Sequence, residues 1–330
     1  MDIIKAALDL RPPRSNRPWP PTQLALALQG GGSFGAFTWG ALERLLEEER
    51  ITLDAFSGAS AGAVNAALLV SGLAAGGREG ARKTLEKFWT DVSHTATFLP
   101  KAAALPLGFL ARTLSPYQFN PFDLNPLRVA LESHIDFERL RHVVSPRLLI
   151  AATRVSTASL RIFRNDEITS AVILASACLP LLHQSIEIDG ELYWDGGYIA
   201  NPPLTPLVME TNASDVLIIQ ISPTKSRKPP RSRRDIEHRI DQINFASTLE
   251  REIEAIRLLA PLCAGGDASG KWAKLRLDRI AAEDEIEQLA EHSPANLQWT
   301  FVSRLRDAGR AAAQSWLEQT GDFSPHFLTG

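Results

Sequence analysis

Residues 24–35 read LALALQGGGSFG, an apolar run that leads into three consecutive glycines. Short, continuous apolar runs of this kind are typical of strands buried on both faces of a parallel sheet. Residues 35–48 then place apolar side chains at helical spacing, with Leu42, Leu45 and Leu46 on one face and acids on the other. Strand, glycine loop and helix together predict the opening of an α/β fold.

A second strand and helix follow directly. Residues 51–57 predict a strand, residues 58–62 (GASAG) a sharp turn, and residues 61–73 a helix of small side chains. Further buried strands are predicted at RLLIAAT, residues 147–153, and at VLIIQI, residues 216–221. This alternation predicts a three-layer α/β/α fold with a mostly parallel central sheet.

Amino-acid usage divides the chain into four parts. They are a Pro- and Arg-rich lead (1–22), a main domain (23–224), a basic loop (225–234) and a mainly helical part that packs on the main domain (235–330). In the last part we predict a helix over 235–259, a strand over 272–280 and a helix over 293–318 that begins at Ser293.

Composition narrows the class of protein. A chain of 330 residues that is 45% hydrophobic can bury a large core, and its net charge of −3 gives no global reason to expect nucleic acid as a partner. Cys178 and Cys263 lack CxxC spacing and have apolar neighbours, so we expect buried thiols rather than a disulfide or a zinc site. The most apolar stretches, 61–75 and 168–182, fall short of the roughly 20 residues of a transmembrane helix. With an N-terminus unlike a secretory signal, these features predict a cytoplasmic protein.

Ser60 stands at the centre of Gly58-Ala59-Ser60-Ala61-Gly62, between a predicted strand and a predicted helix. A GxSxG turn in that position is a nucleophile elbow, which holds the serine in a strained conformation and projects its hydroxyl clear of the sheet. Small flanking residues let strand and helix approach, and the helix N-terminus places partial positive charge beside an attacked carbonyl. The pattern predicts that Ser60 is a nucleophile.

Gly30, Gly31 and Gly32 lie between the first strand and the first helix. Consecutive glycines let backbone N–H groups converge on an oxyanion, each contributing a few kcal/mol to transition-state stabilisation. With Gly35 the same string satisfies GxGxxG, so a nucleotide-binding oxidoreductase is the rival interpretation, and Asp54 lies about twenty residues on as that rival requires. Asp54, however, lies near the start of the second strand rather than its end, and this favours the oxyanion interpretation.

Asp195 closes an apolar-aromatic strand and is followed by Gly196 and Gly197. A carboxylate at a strand end, beside glycines that permit a tight turn, can reach a serine at another strand end and accept its proton. Taken alone, Asp-Gly-Gly is more often only a turn. Its position after the other two motifs makes Asp195 a candidate general base.

The order GGGxxG, GxSxG and DGG resembles the patatin-like phospholipase family. Further similarity lies in ASACLP, residues 175–180, and in Asn201-Pro202, so that the resemblance covers residues 24–222. The resemblance implies that residues 23–224 form a patatin-like catalytic domain. The family often has Arg or Lys where this chain has Phe34; the oxyanion backbone is kept but a cation is lost, which leaves loop anchoring and head-group preference open.

The resemblance implies a serine acyl-ester hydrolase of the phospholipase A or lysophospholipase type, acting on lipid acyl esters. It implies a dyad of Ser60 and Asp195 without histidine, and an oxyanion hole from the backbone of the three glycines at 30–32. No metal and no cofactor are required by these motifs. Five more glycines are expected to support them: Gly35, Gly58, Gly62, Gly196 and Gly197.

Three alternatives stay open at the level of sequence. A Ser-Asp-His triad would need a histidine after Asp195, where only His238, His292 and His326 are available; His183 precedes the aspartate and is interpreted as structural. A second alternative is a catalytically silent lipid-binding or scaffold protein on the same fold. The oxidoreductase is the third.

Two further segments suggest binding. Residues 265–271 match a phosphate-binding loop up to the lysine, but Trp272 stands where that motif needs Ser or Thr, so a surface turn is expected. The basic loop 225–234 suggests peripheral contact with anionic membranes, against the alternative of a solvated loop. A lipid substrate is the expected partner, and nucleic acid is not.

Overall fold

The computed structural model describes residues 19–98, 115–120, 125–222, 224, 229–264, 270–282 and 296–318. Ser293, most of the lead and residues 225–228 of the basic loop therefore lie outside the described residues. In the described ranges, no helix combines the length and the apolar character that crossing a bilayer would need.

The strands form one mixed sheet. They are β1 (Gln23–Leu28), β2 (Thr52–Gly58), β3 (Arg147–Arg154), β4 (Ser159–Arg164), β5 (Ile186–Ile188), β6 (Glu191–Asp195), β7 (Asp215–Gln220) and β8 (Arg276–Ala281). The order across the sheet is β5-β6-β3-β2-β1-β7-β8, and β4 pairs with β3 off this path. From β3 to β8 the pairs along this path are parallel, whereas β4, β5 and β6 join by antiparallel pairing. The sheet is therefore mostly parallel, as the alternation of elements predicts.

Helices connect the strands. They are α1 (Gly35–Leu46), α2 (Ala61–Phe98), α3 (Pro116–Phe119), α4 (Pro126–His134), α5 (Phe137–Arg141), α6 (Ser170–Ser176), α7 (Leu204–Glu210), α8 (Arg233–Ala264), α9 (Lys271–Lys274) and α10 (Trp299–Glu318). Gly76 and Gly77 have non-helical backbone angles and break α2 into two helical segments.

Alternation along β1 explains the three layers. Leu24, Leu26 and Leu28 belong to a core that includes residues of α1, α2 and α10. Ala25 and Ala27 belong to a second core with residues of α7 and α8. Successive strand side chains point to opposite faces, so helices cover both faces of the sheet. The fold is a three-layer α/β/α arrangement with the parallel strands at its centre.

The α1 and α10 helices touch backbone to backbone. A Cβ added at Gly40 would lie 1.8 Å from the Arg306 carbonyl oxygen, and one added at Gly309 would lie 2.0 Å from the Phe37 carbonyl oxygen. Beside this contact Arg306 donates two hydrogen bonds to Glu43, at 2.7 and 2.8 Å. Burial raises the pKa of Glu43, but the hydrogen bond and charge of Arg306, aided by other arginines, outweigh it and lower that pKa.

Two sequence-based expectations need correction. The strand predicted over 272–280 is a short helix at Lys271–Lys274 followed by β8, because the left-handed Gly270 starts a helical turn before the alternating pattern begins. Cys263 was expected to be buried but is only half-buried, since the end of α8 exposes its apolar residues, including Leu262. Cys178 is buried as expected, and neither cysteine forms a disulfide with another described residue.

Candidate active site

Ser60 lies between β2 and α2 with a φ of 54°, one of the few non-glycine residues of the described chain in the left-handed region. Its N–H donates to the carbonyl oxygen of Ser176 at 3.1 Å and to Ser176 Oγ at 3.0 Å. A serine in this region is strained, and the strain persists only where the surroundings hold it. Ser176, the last residue of α6, supplies part of that restraint.

The small residues around Ser60 are required by close packing. A Cβ at Gly62 would lie 2.0 Å from the Leu28 carbonyl oxygen, and one at Gly58 would lie 2.6 Å from the Gly62 backbone. A Cβ at Gly35 would lie 2.9 Å from Ala61 Cβ. Any side chain at these positions would push β1, β2 and α2 apart and move the serine.

Asp195 ends β6, opposite Ala152 of β3, and its side chain is fully buried. Its N–H donates to the Cys178 carbonyl oxygen at 2.9 Å, and its own carbonyl oxygen accepts from Thr153 Oγ1 at 2.8 Å. Its carboxylate Oδ1 accepts from the Gly197 N–H at 2.7 Å. The carboxyl group is thus held by its own turn and by two neighbouring segments.

Burial raises the pKa of Asp195 to about 7, while hydrogen bonding from the Ser60 side chain and the Gly197 N–H opposes the rise. The Ser60 hydroxyl is therefore close enough to favour the carboxylate. Oδ2 nevertheless has no partner at ordinary hydrogen-bond geometry among the described residues, so the contact with Ser60 is a loose one. Loose contacts between nucleophile and base are common before substrate binds. A carboxyl group with a pKa near neutrality is well matched to accept a proton at pH 7.

Gly196 and Gly197 fill positions that exclude any side chain. A Cβ at Gly196 would lie 2.2 Å from the Ala151 carbonyl oxygen, and one at Gly197 would lie 2.4 Å from the Phe245 ring. The DGG turn is thereby pressed between β3 and α8.

The glycine loop lies directly against Ser60: a Cβ added at Gly30 would lie 2.6 Å from Ser60 Cβ. Sequence reasoning assigns oxyanion donors to all three glycines, but the Gly30 N–H already donates to Asn201 Oδ1 at 2.7 Å. This bond is buried, so Gly30 has a packing role in this structure. The N–H groups of Gly31 and Gly32 make no hydrogen bond to any described residue, which leaves them open to a ligand.

Phe34 explains how the loop is anchored without the basic residue that the family often carries. Its side chain is buried, and its ring packs edge-on against Phe301 of α10 with centroids 6.1 Å apart. An aromatic contact therefore anchors the glycine loop to α10.

Several residues of the site were not assigned a role from the sequence. Ser176 and Asn201 lie in the two additional segments that resemble the family, and this resemblance is the sequence feature that indicates a role for them. Thr153 and Phe245 carry no motif, and only the fold brings them to Asp195 and Gly197.

Exposed apolar side chains lie in the two segments that flank Asp195 in the sequence. Leu181 and Leu182 follow Cys178 and are 77% and 47% exposed, and Tyr198 and Ile199 follow the DGG turn and are 39% and 37% exposed. Exposed apolar side chains in segments next to a buried carboxyl group are available to contact an apolar ligand.

Asp54 does not serve a nucleotide. It accepts hydrogen bonds from Thr211 Oγ1 at 2.6 Å, from the Asn212 N–H at 2.7 Å and from Gln23 Nε2 at 3.0 Å. Burial raises the pKa of Asp54, but these hydrogen bonds outweigh it and lower that pKa. Asp54 also lies at the amino end of β2, whereas Ser60 follows the carboxyl end. Its role is to tie the start of β7 to the sheet.

The remaining candidate residues lie in other segments of the chain or outside the described residues. Lys271, the lysine of the phosphate-loop-like segment, donates to the Thr211 carbonyl oxygen at 2.6 Å. His183 lies half-buried in the turn after Leu179. His292 and His326 lie outside the described residues. Within the described ranges, no group of three or more His, Cys, Asp or Glu side chains is arranged to hold a metal ion.

Known proteins match the part of the chain that contains these residues. A family model described as patatin-like phospholipase matches residues 26–208, more than half of the chain. Among solved structures, VipD from Legionella pneumophila is 16% identical with a TM-score of 0.46, over 91% of this chain and 67% of that chain. No curated protein matches. The matched range includes the glycine loop, Ser60 and Asp195.

Proposed function

The chain belongs to the patatin-like phospholipase family, a family of lipid acyl hydrolases, and from that premise we propose that Ser60 and Asp195 form the catalytic dyad of a serine acyl-ester hydrolase. The observation that carries this proposal is the strained Ser60 at a strand-to-helix turn, placed beside the buried carboxyl group of Asp195, whose pKa burial raises to about 7.

The first step forms the acyl enzyme. Asp195 accepts the Ser60 proton as Oγ attacks the acyl carbonyl, and the N–H groups of Gly31 and Gly32 stabilise the tetrahedral oxyanion. The proton on Asp195 then passes to the departing alcohol oxygen. In the second step Asp195 removes a proton from water as the water oxygen attacks the acyl enzyme, and Asp195 then returns this proton to Ser60 Oγ as the fatty acid leaves. Besides the chain itself, this scheme uses the lipid ester and water.

The substrate we propose is a lipid acyl ester of the phospholipase A or lysophospholipase type. The exposed apolar side chains in the segments that flank Asp195, among them Leu181, support this class because they are available to contact an acyl chain. Cys178 and Cys263 form no disulfide in the described part of the chain, which supports a reducing, cytoplasmic setting. We also propose peripheral contact with anionic membranes through the basic loop.

Substitution of the nucleophile tests the proposal. Ser60→Ala removes the attacking oxygen, so hydrolysis of acyl esters should fall by about a thousandfold or more and labelling by a fluorophosphonate probe should cease. Ser57→Ala is the matched control, since it deletes a buried hydroxyl of β2 that has no hydrogen-bond partner among the described residues. Ester hydrolysis is measured over a panel of phospholipids, lysophospholipids and neutral glycerides.

The same experiment separates the alternatives. A wild-type protein that neither hydrolyses an ester nor takes up the probe would be a catalytically silent lipid-binding or scaffold protein. Probe uptake by a folded Ser60→Ala variant would mean that another residue is the nucleophile. An oxidoreductase is disfavoured, because Asp54 is committed to hydrogen bonds within the chain.

A further inference from the structure

Both polar groups of Gly30 are held by buried side chains. Its N–H donates to Asn201 Oδ1 at 2.7 Å, and its carbonyl oxygen accepts from Asn201 Nδ2 at 3.4 Å and from Ser222 Oγ at 3.2 Å. Asn201 is fully buried and Ser222 nearly so. Three hydrogen bonds to one residue fix the orientation of the peptide groups on both sides of it.

The peptide that joins Gly30 to Gly31 contains the Gly30 carbonyl and the Gly31 N–H. Because a trans peptide is planar, these two groups point in opposite directions. Hydrogen bonds that hold the Gly30 carbonyl toward Ser222 and Asn201 therefore turn the Gly31 N–H the other way. That N–H makes no hydrogen bond to a described residue, and it belongs to the residue next to the one that packs on Ser60.

Gln29 holds Asn201 and Ser222, the two residues that bind Gly30, in fixed positions relative to each other. Its fully buried side chain accepts at Oε1 from the Ile221 N–H at 2.8 Å and from the Ser222 N–H at 2.7 Å. Its Nε2 donates to the Asn201 carbonyl oxygen at 3.3 Å. A buried amide that satisfies three backbone groups at once makes a rigid support, because each bond would be costly to leave unmade in the interior.

Asn201 also lies in the segment that carries the base. It follows Asp195 by a short turn, in which Gly197 binds the carboxylate and Ala200 N–H donates to the Gly196 carbonyl oxygen at 2.9 Å. The position of Asp195 is thus connected through one ordered turn to the position of the glycine loop.

We propose that Asn201 and Ser222 are positioning residues that aim the Gly31 N–H at the oxyanion, with Gln29 holding the pair in place. The inference rests on the proposed hydrolase function. Neither side chain touches the reacting atoms in this scheme. Their effect reaches the transition state only through the orientation of one peptide group, so it should appear in kcat and not in KM.

Two substitutions that change no charge test the positioning role of Ser222 and Asn201. Ser222→Ala removes one of the two hydrogen bonds to the Gly30 carbonyl oxygen. Asn201→Ala removes the other and also leaves the Gly30 N–H without its acceptor. We expect kcat to fall about 10-fold and about 100-fold respectively, less than the roughly 10²–10³ that loss of a direct oxyanion donor costs. KM should stay within about twofold, and the pH midpoint of kcat should not move, because Asp195 is untouched. Hydrogen exchange of the amides at 30–34 should quicken in both variants.

Ser57→Ala again serves as the control, and it should leave kcat and loop exchange unchanged. If Asn201→Ala fails to fold, Ser222→Ala decides by itself, since it deletes a single oxygen. A folded Ser222→Ala variant with wild-type kcat would overturn the inference. So would a loss of rate accompanied by a shifted pH midpoint or a raised KM, because the residues would then act on Asp195 or on substrate binding. An inactive wild-type protein would instead overturn the proposed function, and this role with it.

Discussion

Burial gives Asp195, the proposed general base, a pKa of about 7. A carboxylic acid whose pKa is higher in the folded protein than in the unfolded chain binds its proton more tightly in the folded state. The ionised carboxylate therefore costs stability above pH 7, on the order of a few kcal/mol, and this cost disappears as pH falls below the unfolded value near 4. A buried carboxyl group that destabilises the fold at neutral pH is typical of a functional site.

Activity should follow the ionisation of the same group. Only the carboxylate can accept the Ser60 proton, so we expect kcat to fall as pH falls, with its midpoint at about 7. A histidine base would give a similar profile. Variants must therefore decide: Asp195→Asn should abolish most of the rate over the whole range, whereas His183→Gln and His238→Gln should each keep most of it. A thousandfold loss in either histidine variant, with folding preserved, would establish a triad instead.

Single residues were the easiest part of the site to predict. Ser60, Asp195 and the glycines lie within short motifs whose spacing encodes a local turn. The role of Gly30 was not predictable, because its N–H pairs with Asn201, 171 residues further along the chain. Sequence shows that a glycine loop has donors, and only the fold shows which donors are already used.

At the scale of elements, strands and helices with long regular patterns were predicted well. β1, β3 and β7 are built on continuous apolar runs, and the structure places these three strands and β2 within one residue of their predicted starts. The short β5 escaped prediction because three residues carry too little pattern to distinguish a strand from a loop. The extension of α2 beyond residue 73 was missed because its glycines read as a helix end.

The glycine contact between α1 and α10 yields a prediction at this scale. Gly309→Ala places a methyl group 2.0 Å from the Phe37 carbonyl oxygen, so the helices must separate, and we expect a loss of about 3 kcal/mol in the free energy of unfolding. Gly76→Ala is the control, because its added Cβ meets nothing within 4 Å. Urea titrations followed by tryptophan fluorescence measure both. Equal midpoints for the two variants would show that the helices yield without cost.

For the whole molecule, charge is distributed unevenly although the net value is only −3. Six cations fall within residues 225–234, and of these Arg231 and Arg233 are seen to be exposed. The α8 helix begins at the end of this loop, exposes Ile236 and Ile240 on one side, and reaches the site at Phe245. Basic and apolar groups side by side favour contact with an anionic bilayer near the active site.

Vesicle binding tests this arrangement. Surface charges are screened by salt, so binding to anionic vesicles should weaken as salt rises from about 0.05 to 0.5 M. Replacing the arginines at 231, 233 and 234 by glutamine should weaken it at low salt. The matched control replaces three exposed arginines near the amino ends of the parallel strands: Arg50, Arg139 and Arg147. Binding that ignores salt, or equal loss in both triple variants, would return the basic loop to the role of a solvated connection.

The packing of α10 on α1 also has a consequence for the order in which the protein is made. The glycine loop and Ser60 leave the ribosome long before residues 299–318 are translated. Until α10 arrives, Phe34 has no Phe301 to pack on and the backbone at Gly40 stays uncovered. We therefore expect a nascent chain to carry the proposed nucleophile beside an unsupported glycine loop, so that the proposed hydrolysis begins only after α10 has been made and has packed on α1.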